Sequence, residues 1–250
     1  MSFVTLSRDQ EIATLTLRSG KVNALHDAVV DEVHERLKAI EADESLRAVI
    51  LTGEGKFFSF GFDIPRFLSY SREAFTRYLE GFTSLCAYIF LFPKPVIAAL
   101  NGHAIAGGCM IATACDYRLM VAGKAKISLN EINFGSSVFA GSVAMLTHCV
   151  GSSNCGRVLL SGKMHSAEEA LELGLIDKAT SEEDLPGEAL KAAKDLARKE
   201  SAAFRSIKHL LRGPVAEEML KRESNSIREF VDIWYSENTW KNLQLIKITA

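Results

Sequence analysis

No apolar run in this chain is long enough to cross a bilayer. The longest mostly apolar stretch, Val96–Met110, is broken by Asn101 and His103, whereas a spanning helix needs about 20 apolar residues. The N-terminal MSFVTLSRDQ enters strand-like alternation at once, with neither a basic leader nor an apolar one behind it. A cytoplasmic protein without a membrane partner is therefore expected. An excess of one charge is also lacking, since 29 Lys and Arg stand against 31 Asp and Glu. No basic cluster is long enough to bind nucleic acid. The five cysteines, Cys86, Cys109, Cys115, Cys149 and Cys155, are an odd number without a Cys-x-x-Cys. Their apolar or small-residue surroundings read as buried free thiols rather than a disulfide framework. The six histidines have no His-Glu-x-x-His or other zinc spacing, so no metal is expected.

Several nucleotide and hydrolase motifs are missing as well. Gly53-x-Gly55 follows a strand as a dinucleotide fingerprint would, but Phe58 stands at the third glycine position. Its ring would block the close helix–strand approach that the fingerprint needs. Gly102 and Gly107 have phosphate-loop spacing, yet Gly108-Cys109 replaces the Lys-Ser/Thr that must follow. No Gly-x-Ser-x-Gly elbow is present for a nucleophilic serine.

What remains is ordinary globular composition, 48% hydrophobic and 24% charged over 250 residues, enough to bury a core in one large domain. Ser2–Leu6 and Glu11–Leu17 alternate like paired strands, and Asp27–Ala42 repeats apolar residues at helical spacing. Short strands are expected over Arg47–Thr52, Pro95–Leu100 and Asp116–Val121, and helices over Arg72–Phe92 and Ala106–Ala114. Beyond Gly135 the pattern is mainly helical: Val138–Val150, Ser153–Leu160, Ser166–Leu173 and Glu188–Lys199 onward. Strands alternating with helices predict an α/β core of strand-strand-helix units. The expected division is an α/β core over 1–187 and a helical oligomerisation segment over 188–250, meeting near Leu185-Pro186-Gly187. Ile227, Phe230, Val231, Trp234, Trp240, Leu243 and Leu245 in that segment need burial against something.

Two glycine-bearing turns end buried strands: KFFSFGFDI (Lys56–Ile64) and NGHAIAGGC (Asn101–Cys109), the latter leading into an apolar helix. Both offer backbone N–H groups, and a helix start leaves its first N–H groups without partners. Two such donors on one carbonyl oxygen would make an oxyanion hole. Taken singly, each turn is equally well read as glycine needed for tight packing.

FFSFGFDI, PVIAALNGHAIAGGC and CDYRLMVA, in that order and spacing, then ISLNEINFG and LSGKMHSAEEALELGLID, resemble the enoyl-CoA hydratase/isomerase (crotonase) family over roughly residues 20–180. The resemblance implies a spiral of ββα units with a C-terminal helical segment, assembled as a homotrimer or dimer of trimers. It also implies an acyl-CoA thioester substrate and no cofactor beyond the coenzyme A carried by that substrate. Carried over by position, the two oxyanion donors fall on the backbone N–H groups of Phe60 and Gly107. Phe60-Gly61-Phe62-Asp63, running on to Ile64, matches the loop along the CoA moiety, and Asn23-Ala24-Leu25 matches the stretch flanking the nucleotide. By itself Asp63 reads as a helix cap, and Asp116 as the residue fixing a turn.

Hydratases of that family carry two catalytic glutamates. One directly follows the Gly-Gly-Cys turn, where this chain has Met110, a thioether that cannot exchange a useful proton. The other falls on Glu131 in LNEINFG. A Gly-Gly-Cys turn without the glutamate and a Leu-Asn-Glu loop resemble the monofunctional Δ3,Δ2-enoyl-CoA isomerases. Hydration must orient and deprotonate a water while protonating C2, whereas moving a double bond needs one base that takes a proton from C2 and returns one at C4. In an apolar acyl pocket that carboxyl is expected to have a raised pKa. The expected activity is thus a 3-enoyl-CoA isomerase. The alternatives are a hydratase or another acyl-CoA enzyme of the family, and a non-catalytic CoA-thioester-binding protein, which need not keep a carboxylate at 131.

Overall fold

The computed structural model describes residues 2–246. The chain opens on an antiparallel hairpin, β1 (Val4–Asp9) and β2 (Ile12–Leu17), turning through Gln10 at φ 53°. From β2 onward one pattern recurs: a strand in a large sheet, a short strand in a small sheet, then helix. The first unit continues with β3 (Ala24–Leu25) and α1 (Asp27–Ala42). The second holds β4 (Ala48–Gly53), β5 (Phe57–Ser59), β6 (Gly61–Phe62), α2 (Ile64–Phe67) and α3 (Arg72–Leu91). The third is β7 (Val96–Leu100), β8 (His103–Ile105) and α4 (Gly107–Ala114). The fourth, β9 (Tyr117–Val121) and β10 (Ile127–Ser128), closes with a single 3₁₀ turn over Glu131–Phe134.

The large sheet has the order β1-β2-β4-β7-β9-β11, with β11 at Lys178–Thr180 and parallel pairing from β2 onward. The small sheets are β10-β8-β5 and β3-β6. This is the expected α/β spiral of ββα units. Every residue of β7 is buried, as strands covered on both faces require. The short strands β3, β5, β6, β8, β10 and β11 escape sequence reading because two or three residues hold no period.

Helices α5 (Ala140–Ser161), α6 (Ala167–Leu173), α7 (Leu185–Ala197), α8 (Ser201–Trp234) and α9 (Glu237–Gln244) complete the chain. Gly151, at φ 74° and ψ 161°, interrupts α5 between the two segments expected there. Ser166 and Glu169 form a reciprocal capping box at the start of α6, satisfying two otherwise orphaned N–H groups.

Two expectations about the tail need correction. The boundary at 187/188 falls inside α7, which lies across β2, β4, β7 and β9. Leu185, Ala189, Ala193 and Ala197 recur every four residues and let that helix sit close to the sheet, so the helical appendage begins after it. The tail's apolar residues also find burial without a second copy. Ile227, Phe230, Val231, Trp234 and Leu243 are buried within the chain itself, while Leu245 stays 78% exposed. Helix α8 folds back over α3 and α5, with Trp234 4.6 Å from Phe75 and Phe230 4.5 Å from Phe139 between ring centroids. Among the described residues no helix is long and apolar enough to cross a membrane.

Candidate active site

The two glycine turns interlock. Strands β5 and β8 run parallel, pairing Phe57 with His103 and Ser59 with Ala104. A side chain on Gly108 would run into the Ser59 carbonyl and Cβ, so the start of α4 can meet β5 only through a glycine. Two asparagines clamp the loop before β5. Asn101 accepts from the Gly53 N–H (2.9 Å) and donates to the Gly55 carbonyl (2.9 Å). Asn23 accepts from the Ser19 N–H (3.0 Å) and donates to the carbonyls of Glu54 (3.1 Å) and Phe57 (2.8 Å). Asn23 is fully buried with its carboxamide spent inside the fold, and Ala24 and Leu25 are buried beside it. These three side chains therefore shape the loop from beneath, and the nucleotide-flanking contact expected of them is not available to their side chains.

The oxyanion donors need one revision. The Phe60 N–H donates to the Val22 carbonyl at 2.9 Å, so the donor expected there is already engaged. Leu25 pairs with Phe62, and the Asp63 N–H donates to the Leu25 carbonyl (3.3 Å). Neighbouring residues of a parallel ladder point their N–H groups to opposite sides, which turns the Phe62 N–H away from β3. Gly61, at φ 92°, allows this approach: a Cβ there would lie 2.8 Å from the Ile105 carbonyl oxygen and 3.0 Å from the Gly107 nitrogen. Gly107 opens α4, whose first helical bond joins the Met110 N–H to the Ala106 carbonyl (3.0 Å). Its own N–H is left unpaired, as at any helix start. The converging pair is thus Phe62 and Gly107. Between them Ala106 holds φ 49° and ψ −117°, a conformation costly for a residue with a Cβ.

Beside these two turns lies a cavity of about 280 Å³ whose wall includes Phe62, Ala106, Met110, Asn130, Glu131 and Trp234. Glu131 is 5% exposed, and its Oε2 has no hydrogen-bond partner. Burial pushes its carboxyl from an ordinary 4.5 up to about 8, opposed only by a hydrogen bond from its own backbone. The Ser136 N–H donates to the Glu131 carbonyl (3.0 Å) and Gly135 ends the turn in the left-handed region, holding the backbone while the carboxyl stays free. Met110, 1% exposed, lines the same cavity, and among the described residues Glu131 is the one ionisable side chain in its wall. Such a site can take a proton from an acidic carbon and hold negative charge on a carbonyl oxygen.

Of the remaining expected residues, Ile64 lines the cavity and Phe60 borders it through its side chain. Asp63 caps α2 by accepting from the Arg66 N–H (3.3 Å). Asp116 joins α8 to the sheet. Phe134, Phe230, Trp234 and Ile246 also line the cavity and were missed by sequence reading. Phe230 and Trp234 stand one helical turn apart on α8, a signal that marks a buried face without saying what it faces. A second depression, about 890 Å³, carries Arg18, Lys21 and Lys56 beside Phe57. Among the described residues no three His, Cys, Asp or Glu side chains gather as metal ligands.

A family model described as enoyl-CoA hydratase/isomerase matches residues 7–242. A Bacillus subtilis (strain 168) protein named "Probable enoyl-CoA hydratase" is 36% identical over 200 residues, 80% of this chain and 76% of its own length. The 2,3-dehydroadipyl-CoA hydratase of Escherichia coli (strain K12) is 33% identical over 85% of this chain and 82% of its own. The crystal structure of human mitochondrial Δ3-Δ2-enoyl-CoA isomerase superposes with a TM-score of 0.92 at 26% identity, covering 97% of this chain and 96% of that one.

Proposed function

The chain belongs to the enoyl-CoA hydratase/isomerase family, and we propose that within it this protein is a Δ3,Δ2-enoyl-CoA isomerase working through the single carboxylate of Glu131. The observation that carries this reading is a cavity whose described wall holds one acid, its Oε2 unpartnered, together with the thioether of Met110. The thioester carbonyl oxygen accepts from the N–H groups of Phe62 and Gly107. Ionised Glu131 takes a proton from C2, and the electron pair moves into a dienolate whose charge rests on that oxygen. The protonated carboxyl then returns the proton at C4, the double bond settles between C2 and C3, and Glu131 is ionised again. Losing one such donor costs roughly 3–4 kcal/mol of barrier. Arg18, Lys21 and Lys56 suit the phosphates of the coenzyme, whose thioester needs no further cofactor.

A second reading, a hydratase, is favoured by the names of the relatives at 33–36% identity. It requires the Asn130 carboxamide rather than a second carboxylate to orient the water. Rates on 3-enoyl and 2-enoyl thioesters, measured side by side, separate the two. The expected result is migration well ahead of hydration, and hydration equal or faster would overturn the isomerase. The same reading takes the protein as a homotrimer or dimer of trimers. Its support is the apolar face of α8, where Ile207, Leu210 and Leu211 are 58%, 73% and 61% exposed. A monomeric mass at micromolar concentration would sink it.

A further inference from the structure

Seven buried side-chain polar atoms among the described residues lack a hydrogen-bond partner, and three belong to residues lining one cavity: Asn130 Oδ1, Glu131 Oε2 and Trp234 Nε1. Proton transfer accounts for Glu131 only. A plain hydrocarbon chain would leave the other two unsatisfied, and a wall that met only methylenes would be more stable with Leu and Phe in their places. The chain is able to satisfy such groups where it needs to. Asn133, in the same wall, donates to the Gly162 carbonyl (2.8 Å). The buried Tyr78 hydroxyl donates to the Leu25 carbonyl (2.9 Å), and that of Tyr235 to the Tyr70 carbonyl (2.9 Å). Trp234, 1% exposed among Phe75 and Phe230, offers a donor to no protein acceptor.

The charge of the wall narrows what could answer it. Among the described residues no Lys, Arg or His lines the cavity, so a carboxylate on the acyl chain would meet no counter-charge from them, beside an acid that burial already disfavours as an anion. A neutral oxygen meets no such cost. It accepts from the indole N–H, and a hydroxyl can also donate to a carboxamide oxygen.

We propose that the cavity selects acyl-CoA thioesters whose chain carries a neutral oxygen function, a hydroxyl or a carbonyl, beyond the carbons of the migrating double bond. Trp234 is the donor to that oxygen and Asn130 the second polar contact. The inference rests on the acyl-thioester reading of the site and adds the class of acyl group.

Calorimetry with saturated acyl-CoA thioesters tests it without depending on which reaction the enzyme performs. Three ligands of equal chain length are compared: plain, hydroxylated or oxo-substituted on the distal half, and ω-carboxylated. The oxygenated chain is expected to bind about 10-fold tighter than the plain one, and the carboxylated chain weakest. Trp234→Phe keeps an aromatic ring and removes the N–H, and should bring the oxygenated-to-plain affinity ratio to about one. Asn130→Leu should lower the same ratio. Equal affinities in the native protein, or a ratio that survives Trp234→Phe, would overturn the proposal and leave Trp234 as packing against Phe75. If affinities follow the expected order but double-bond migration is absent, the isomerase reading fails and the ligand class stands.

Discussion

Glu131 is a buried acid and Asp116 a largely buried one, its side chain 11% exposed, and the company each keeps is opposite. Oδ2 of Asp116 accepts from the Val96 N–H (2.8 Å) and from Lys208 Nζ (2.7 Å), while Oδ1 lies 3.2 Å from an Arg212 nitrogen. Arg212 also donates to the carbonyls of Phe90, Ala114 and Cys115. That carboxylate ties the long helix α8 to the start of β7 and the end of α4. Oε2 of Glu131 has nothing. A buried charge surrounded by donors serves as a fastener, because its interactions are complete before any ligand arrives. One deprived of donors is held at high free energy as an anion, and that raises its basicity toward an acidic C–H. The chain supplies donors generously at Asp116 and none at Glu131 Oε2, as the proposed base requires.

The contrast is broken most severely by Glu131→Gln. Double-bond migration should fall by about 10²–10⁴-fold, the usual worth of a general acid–base group. Affinity for a saturated acyl-CoA should stay within a few fold, since the Phe62 and Gly107 donors are untouched. Migration that persists in this variant would remove Glu131 from the mechanism. Next in size is Asp116→Asn, which leaves Lys208 and Arg212 buried without their shared counter-charge. The expected loss is about 3–5 kcal/mol of folding free energy, read from a denaturant midpoint. A loss below about 1 kcal/mol would mean that Asp116 is not the fastener described.

A pH series sharpens the same comparison. The Glu131 carboxyl sits at about 8 when folded against 4.5 ordinarily, so the folded state holds the extra proton between those values. Stability from this group is therefore greatest at low pH and falls as pH rises from about 4.5 to about 8. Activity runs the other way: kcat/KM should rise about tenfold per pH unit below the midpoint near 8 and level off above it. Glu131→Gln should lose that stability slope, and a kcat/KM plateau that already begins near pH 5 would contradict the raised pKa. The smallest effect belongs to the backbone beside the oxyanion pair. Ala106→Gly relieves the strain at φ 49° and should stabilise the protein by about 1 kcal/mol. Unchanged or lowered stability would show that the turn is not strained.

Much of the fold is legible without coordinates, because long periodic segments report their own burial. Helix α1 spans the residues expected of it, with Val29, Val33, Leu37 and Ile40 inward, and β4 and β7 announce themselves as apolar runs, the first closed by Gly53 and Gly55 and the second set between Pro95 and Gly102. Phe60 shows where such reading stops. Matching by position placed the loop's donor at Phe60, and only the bond from the Phe60 N–H to the Val22 carbonyl reveals that this N–H is already used. Asn23 is a parallel case: its place in a motif implied ligand contact, yet its carboxamide accepts from the Ser19 N–H and donates to the carbonyls of Glu54 and Phe57.

By itself the sequence determined the class of architecture, since that depends on residue type and local period, and it placed Met110 and Glu131 at the two positions where the family resemblance expects glutamates. Tertiary structure alone decided three further matters: that the turns at Gly61 and Gly107 meet, that Phe62 rather than Phe60 turns its N–H outward, and that α8 carries Phe230 and Trp234 back to roof the cavity. Residues well over a hundred positions apart, such as Phe62 and Trp234, become neighbours only through packing, and whether a given N–H is free depends on which carbonyl that packing brings within reach. A local pattern holds no record of either.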